Sequence, residues 1–502
     1  MDDITAENCP EEQELSEILQ VRRDKLQELK EAGRDPYEIT KFSRSVYSRE
    51  VLDNFDSMVN KDVSVAGRIM AKRGMGKAIF ADIADDKGRI QIYIRKDDVG
   101  ELVFSDFRKV DIGDFIGVGG YVFKTKMGEI SVHANDVVLL SKSLRPLPEK
   151  YHGLTDRELK YRQRYVDLIM NPETRKTFDI RSAFIRYIRT YLDGRGYMEV
   201  ETPVLNTISG GATARPFITH HNTLDLDLYM RIATELHLKR LIVGGIERVY
   251  ELGRIFRNEG MDTKHNPEFT TVELYEAYAD YSDMMDLIEE LLSSAAVTIT
   301  GGFNLPWQNE NIDLTPGWPR ITMAEAVKDY TGIDFMVLSD VRAAAAAAAE
   351  IGVKMPEGKE ASWGDLLYEC FDQKVEEKLI QPVFITEHPV EVSPLAKRKS
   401  SDRRLTERFE LFINGSEMCN AFSELNDPID QKQRFLRQAA MRNAGDNEAG
   451  MMDDDYIMAL EYGMPPTAGM GIGVDRCVMM LTNNSSIRDV LLFPTMKPGG
   501  GL

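Results

Sequence analysis

Leu15, Ile18, Leu19, Val21, Leu26 and Leu29 recur near helical spacing among charged residues, which predicts an amphipathic helix over Glu12–Ala32. Gly33 can end it, with Pro36 following. From Val63 to Leu140 the pattern changes to short runs separated by turns: 63–69, 78–83, 89–94, 115–122 and 130–134. Five short strands at this spacing, with Gly67, Gly119 and Gly120 at bends, predict a small closed barrel. Pro146 and Pro148 mark a linker, and Asp156–Asn171 reads as a charged helical connector. From Thr177 onward helices and strands mix. Thr322–Leu379 reads as a helical insert, in which the alanines 343–349 predict a plain surface helix, since alanine is the best helix former. Later, the alternation of Phe409, Leu411 and Ile413 predicts a strand with Glu410 on its opposite face, and Asn414-Gly415 a tight hairpin turn.

The length of 502 residues fits roughly three domains. A hydrophobic content of 43% supplies a large core and excludes disorder for most of the chain. The balance of 82 acidic against 62 basic residues, net −20, argues against a protein that coats nucleic acid nonspecifically, but leaves room for a local basic surface. Cys9, Cys370, Cys419 and Cys477 lie far apart and form no CxxC pair, which favours a reducing cytoplasm. The acidic N-terminus does not read as a secretory signal, and no apolar run is long enough to span a bilayer. One candidate basic surface lies between the first two barrel strands, where Arg68, Lys72, Arg73 and Lys77 cluster near Phe80 and Gln91. Cations on phosphates and rings on bases are how small barrels hold single-stranded nucleic acid, although Phe80 fits a core position equally well. In the first helix, Arg22, Arg23, Lys25 and Lys30 fit either packing or a phosphate-binding arm; charge runs are more often solvated faces.

Three segments stand out in the C-terminal part: 196–203 (GYMEVETP), 250–259 (YELGRIFRNE) continuing to 265–269 (HNPEF), and 469–476 (GMGIGVDR). In this order and spacing they resemble the three signature segments of class II aminoacyl-tRNA synthetases. Further stretches narrow the likeness: 209–217 (SGGATARPF), 235–241 (ELHLKRL), 389–397 (PVEVSPLAK) and 420–427 (NAFSELND) are similar to the lysyl-tRNA synthetases of bacterial type. The resemblance runs from the first helix to Pro494, and one departure is Thr234, where the family usually has proline.

Charge chemistry points the same way. Arg257 and Arg476 each offer a planar, permanently charged fork to phosphates, placed ahead of the charge that develops during transfer. The resemblance implies Arg257 on the α-phosphate and the substrate carboxylate, and Arg476 on the γ-phosphate. It also implies Phe269 stacked on adenine with Arg476 over the other face, and Glu259, His265 and Asn266 along the nucleotide. Glu410 and Glu417 flank the hairpin turn, and hard carboxylate oxygens together with ATP phosphates suit Mg²⁺; the family's metal-binding glutamates match both positions. For a cationic side chain a pocket should offer carboxylates, and Glu235, Glu273 and Glu424 all lie in the matched segments; unpaired buried carboxylates make sense where a cation arrives. The resemblance places Glu424 and Tyr275 on the ε-ammonium of lysine, Gly211 and Glu235 on its α-amino group, and Asn420 and Arg257 on its carboxylate, with Glu273 shaping the pocket. It further implies that Arg73, Phe80 and Gln91 read the anticodon, Phe80 by stacking and Gln91 by hydrogen bonding to a base edge.

The expected fold class is α+β: an N-terminal OB-fold β-barrel and a class II catalytic domain built on an antiparallel sheet flanked by helices. The expected division is an N-terminal helical extension over 1–60, an OB-fold anticodon-binding domain over 61–145, a linker over 146–176, and a catalytic domain over 177–502 with a helical insertion at about 322–380. The implied activity is lysine–tRNA ligation: ATP-dependent formation of lysyl-adenylate, then transfer to the 3′ end of tRNA(Lys), with Mg²⁺, in a cytoplasmic homodimer without membrane contact. Alternatives are an aspartyl- or asparaginyl-tRNA synthetase, whose pocket should lack this glutamate set, a protein-lysylating paralogue, which lacks the barrel, and a non-catalytic RNA-binding protein. The basic stretch around Lys397-Arg398-Lys399 and Arg403-Arg404 is expected to be a mobile loop near the active site.

Overall fold

Alternation of apolar and polar residues closes the first β-structure. In a computed structural model that describes residues 10–148, 156–338, 340–355, 361–443 and 450–498, β1 (Asp62–Met75), β2 (Ala78–Ala84), β3 (Arg89–Arg95), β4 (Phe115–Lys124) and β5 (Ile130–Ser141) form a closed barrel in the order β1-β2-β3-β5-β4. Ile79, Ala81, Ile83, Ile90, Ile92 and Ile94 point inward and are buried. Residues between them point outward, as the period of two requires. Two of the three bend glycines answer to close approach: a Cβ at Gly67 would press on Ala84 O and one at Gly120 on His133 O, whereas Gly119 faces open space. The first helix, α1 (Pro10–Glu31), belongs to the same compact unit, Met1–Gly153. Arg22 is buried and donates to the carbonyls of Ser143 at 2.8 Å, Arg145 at 3.1 Å and Ile112 at 3.2 Å, and Lys25 pairs with Asp111 at 2.6 Å. These two cations pack the helix on the barrel; Arg23 remains exposed. Cys9 and residues 149–155 of the expected linker lie outside the described residues.

The second unit, Leu154–Leu502, is built on eight strands. These are β6 (Met198–Glu199), β10 (Arg248–Phe256), β11 (Glu268–Ala277), β14 (Arg320–Thr322), β15 (Val383–Thr386), β16 (Arg408–Ile413), β17 (Ser416–Ser423) and β18 (Thr467–Gly473), in the order β14-β15-β16-β17-β18-β11-β10-β6. The strands β7 (Leu205–Asn206), β8 (Ile218–His221) and β9 (Leu226–Met230) form a separate small sheet, and β12 (Asn304–Trp307) pairs with β13 (Glu310–Asp313). The large sheet is antiparallel at its centre, and its two edge pairs, β14·β15 and β10·β6, run parallel. One face packs on the helices α2 (Pro172–Asp193), α4 (Tyr281–Thr300) and α9 (Val474–Leu481), burying Val272, Leu274, Phe409, Leu411, Met470 and Ile472. The other face carries the alternate residues and floors a cleft.

The charged connector is two short helices, Arg157–Arg162 and Arg164–Met170. The insert is helical as its composition predicts: α5 (Met323–Thr331), α6 (Val341–Glu350) and α7 (Trp363–Lys374) share a core with Phe335 and Phe371. The alanine helix is not a plain surface helix. It buries Ala344 and Ala348, four residues apart, while Ala343 and Ala349 stay exposed. Alanine there permits close approach as well as helix formation.

Candidate active site

A cleft of about 1630 Å³ opens on the free face of the large sheet. That exceeds what one small ligand needs and leaves room for a nucleotide and an amino acid together. The positions on its floor follow from the strand period. Glu273 on β11 lies beside Gly471 on β18, and Asn420 on β17 lies beside both Gly471 and Glu410 on β16.

At one end the groups are cationic. Arg257 follows β10, its Nε is buried without a hydrogen-bond partner, and its guanidinium stands 5.3 Å from the Phe269 ring. Arg476, in the first turn of α9, donates from Nη1 to the backbone oxygen of Glu417 at 2.6 Å and to its carboxylate at 3.2 Å, and Nη2 lies 3.4 Å from His265 Nε2. The adjacent Asp475 pairs instead with Arg181 and accepts from the Thr270 amide at 2.7 Å, so Arg476 remains directed to the cleft. Glu259 and His265 are exposed at the mouth; Asn266 is buried, with Oδ1 unpartnered.

The hairpin turn forms as the sequence predicts, with Asn414 at φ 50° and Gly415 at φ 60°, the left-handed pair that a two-residue hairpin favours. A bulge between Leu411 and Phe412 sets Glu410 opposite Asn420 and Glu417 opposite Phe412, yet both carboxylates line the cleft. Among the described residues, no cluster of three or more His, Cys, Asp or Glu could hold a metal by itself. Two carboxylates fit Mg²⁺ that completes its shell with phosphate oxygens and water, rather than a full protein cage.

Arg408 is not among the residues that the sequence motifs pick out. It donates to Glu410 at 2.6 Å, to Asn420 Oδ1 at 3.1 Å, to Ser393 Oγ at 2.9 Å and to the Val392 carbonyl at 2.6 Å. One guanidinium thus fixes both a candidate metal ligand and a candidate substrate ligand. The signal was available: Arg408 lies two residues before Glu410 on one strand, hence on the same face.

At the other end the groups are acidic. Glu235, on the helix α3 that spans Glu235–Val243, is buried, as are Tyr275 and Glu424. Burial pushes the Glu273 carboxyl up to about 7, against a backbone hydrogen bond from Thr234 N–H at 3.2 Å; its Oε2 has no partner. Burial also raises the Glu235 carboxyl and lifts that of Glu424 well above the usual carboxylate range, although the ammonium of Lys239 pulls against both. Gly211 (φ +88°) lies under Ala233 and Glu235, where a Cβ would meet theirs at 3.1 and 3.4 Å. Gly469 is also constrained: a Cβ there would overlap Glu424 Oε1 and the Tyr275 ring.

The stretch expected to be mobile is a backbone-paired excursion beside the cleft. Lys397 N–H donates to Ser423 O at 2.8 Å, Lys399 N–H to Leu405 O at 2.9 Å and Glu407 N–H to Lys397 O at 2.9 Å. Arg398 lines the cleft and Lys399 pairs with Glu387.

On the barrel, Arg73, Phe80 and Tyr93 share the outer face: Arg73 pairs with Phe80 across β1·β2 and Phe80 with Tyr93 across β2·β3, their rings 4.9 Å apart. Gln91 is also outward and accepts from Ser131 Oγ at 3.1 Å. Phe80 is therefore not a core residue. Two of the four clustered cations differ from expectation. Lys72 donates to the carbonyls of Phe107, Arg108 and Val110 at 2.5–2.9 Å, and burial pushes its ammonium down to about 8. Arg68 donates to Gly113 O at 2.9 Å over the Phe115 ring. Those two hold the barrel together, and Arg73 and Lys77 stay exposed.

Residues 63–140 match the model of the OB-fold nucleic acid binding domain. The chain is 59% identical over 487 residues to the lysine–tRNA ligase of Pelotomaculum thermopropionicum, covering 97% of this chain and 96% of that protein. It is 58% identical over 488 residues to that of Carboxydothermus hydrogenoformans (97% and 99% covered) and 56% identical over 492 residues to that of Bacillus cytotoxicus (97% and 98%). Residues 156–497 match the model of the class II tRNA synthetases (D, K and N), and the chain belongs to that family.

Proposed function

We propose that the chain is a lysine–tRNA ligase whose amino-acid specificity is written in three buried carboxylates. The observation that carries this reading is the polarity of one cleft: Arg257 and Arg476 toward one end, Glu235 and Glu273 lining the other, with Glu424 fully buried against Gly469 and Tyr275 of that wall. A nucleotide triphosphate suits the first and a diammonium ligand the second. Aspartate would add a negative charge, and asparagine no positive side chain, beside three carboxylates that share one internal cation, Lys239, which is costly. Full-length relatives bearing the lysine–tRNA ligase name support the same substrate.

ATP binds with its adenine on Phe269 under Arg476, beside Glu259, His265 and Asn266. Lysine binds with its ε-ammonium at Glu424 and Tyr275, its α-ammonium at Glu235 and Gly211, and its carboxylate at Arg257 and Asn420. Glu273 shapes the pocket between. The lysine carboxylate attacks the α-phosphorus, the bond to the β-phosphate oxygen breaks, and pyrophosphate leaves. Arg257 is already charged and in place where negative charge grows, so no reorganisation is needed at that step. Glu410 and Glu417 would hold Mg²⁺, which when bound neutralises phosphate charge. The 3′-hydroxyl of the terminal tRNA ribose then attacks the lysyl carbonyl, and AMP departs. The protein supplies no nucleophile; orientation and charge do the catalysis.

The barrel reads the anticodon with Phe80 stacked on a base, Gln91 on a base edge and Arg73 on the backbone. In this reading 1–60 extends the barrel, 61–145 is the anticodon-binding domain, 146–176 the linker and 177–502 the catalytic domain. The buried free thiols of Cys370, Cys419 and Cys477 support a cytoplasmic enzyme. Exposed Met198, Val204, Leu205 and Ile218 around the first signature segment support a homodimer there. Among the described residues no helix is long and apolar enough to cross a membrane. The test is charging of a tRNA(Lys) transcript with labelled lysine, ATP and Mg²⁺. Lysyl-tRNA should form and a tRNA(Asp) transcript should stay uncharged; failure to charge tRNA(Lys) while aspartate charges tRNA(Asp) refutes the reading.

A further inference from the structure

One fully buried cation belongs to the acidic end of the cleft and has no place in the mechanism above. Lys239 lies one helical turn beyond Glu235 on α3 and is 0% exposed. Its ammonium pairs with Glu235 Oε1 and Glu424 Oε2 and stands 5.4 Å from the Phe422 ring and 5.9 Å from the Tyr275 ring. Glu235 lines the cleft, whereas Lys239 and Glu424 are both fully buried behind it, so Lys239 meets the two carboxylates from within the protein. Both oxygens of Glu424, and Glu273 Oε2, are left without a hydrogen-bond partner, the Lys239 contact to Glu424 being an ion pair.

We propose that Lys239 is a positioning residue for amino-acid selection: it orients Glu235 and Glu424 and favours their ionised forms in the empty enzyme, and it trims the pocket charge to match a diammonium ligand. Three carboxylates less one ammonium leave a formal charge of −2, and lysine brings two ammonium groups while its carboxylate goes to Arg257. Three buried carboxylates without an internal cation would take up protons in the empty state, and each proton would have to leave before an ammonium could bind. The other charged or titratable neighbours are Arg408 beside Glu235, Arg257 beside Glu273, and Tyr275 and Tyr456 against the carboxylates, with Arg240 behind Tyr456. Of these cations, only Lys239 contacts both Glu235 and Glu424.

The inference rests on the lysine-binding reading of the site, and its test separates the two. Lysine-dependent ATP–pyrophosphate exchange is measured from pH 6.5 to 9 for the wild type and Lys239→Met. The variant should raise KM for lysine by at least about tenfold at pH 7 with KM for ATP unchanged, and the deficit should shrink toward pH 9 as the carboxyls ionise unaided. A purely structural salt bridge would lower the melting temperature with a pH-independent KM ratio, and that result overturns the proposal. Should the variant fail to fold, proton release on lysine binding to the wild type decides, by calorimetry in two buffers of different ionisation enthalpy at pH 7. Release of no more than about one proton, the share expected of Glu273, supports the proposal; release of two or more overturns it. Absence of lysine binding by the wild type would instead refute the substrate reading.

Discussion

Gly469→Ala is a one-methyl test of the ammonium subsite. Gly469 lies on β18 between Phe422 and Tyr275, with a backbone outside the left-handed region, so alanine is tolerated conformationally. What it meets is Glu424 Oε1 and the Tyr275 ring, both inside van der Waals distance of the new Cβ. Neither neighbour is free to yield: Glu424 is fully buried and tied to Lys239, and Tyr275 is 3% exposed. Crowding costs about 1–3 kcal/mol of stability. Displacing the carboxylate oxygen that should meet the ε-ammonium removes a charge-assisted hydrogen bond of about 1.5–3 kcal/mol, or roughly 10- to 150-fold in lysine affinity. The assay is ATP–pyrophosphate exchange with lysine and ATP varied in turn, on protein shown to be folded by its melting curve. KM for lysine should rise by that factor and KM for ATP should stay within twofold. A folded variant with unaltered KM for lysine refutes the placement of the ε-ammonium.

Other expectations are as direct. Glu273, pushed up to about 7, is neutral below that pH and charged above it, so KM for lysine should fall as pH rises through about 7, and Glu273→Gln should abolish the step. Its raised value also means that the folded empty enzyme binds this proton more tightly than the unfolded chain, so this contribution to stability is present in acid and is lost as pH rises through about 7. Thr234→Pro deletes the amide that donates to Glu273 Oε1 and should move the KM midpoint up by about one pH unit or more; an unmoved midpoint would show that the amide is irrelevant. Arg408→Met should raise KM for lysine and for ATP together, because Arg408 holds Asn420 and Glu410; an effect on one substrate alone contradicts that link. Phe80→Ala should raise KM for tRNA by about 5- to 150-fold through lost base stacking, with pyrophosphate exchange untouched.

The barrel was legible because period-two alternation is strong there: β2 was expected over 78–83 and spans Ala78–Ala84. The Asn414-Gly415 turn was legible because its geometry demands left-handed residues. Local patterns could not give the tertiary partners of charged groups. Lys72 looked like part of a basic patch and is consumed by three backbone carbonyls, a pairing that depends on the C-terminal end of the helix Glu101–Lys109, more than thirty residues away. The alanine helix looked superficial, because composition does not say which alanines another helix covers. The same blindness hid Lys239: it stood in a recognised segment, yet its second partner, Glu424, follows β17 far along the chain.

The central claim is that one cleft pairs a triphosphate end with an ammonium-selective end. ATP–pyrophosphate exchange without tRNA, run with each proteinogenic amino acid on the wild type and Glu424→Gln, addresses it most directly. The account predicts exchange with lysine alone and its collapse in the variant; exchange with aspartate or asparagine, or lysine exchange undiminished in Glu424→Gln, would contradict it.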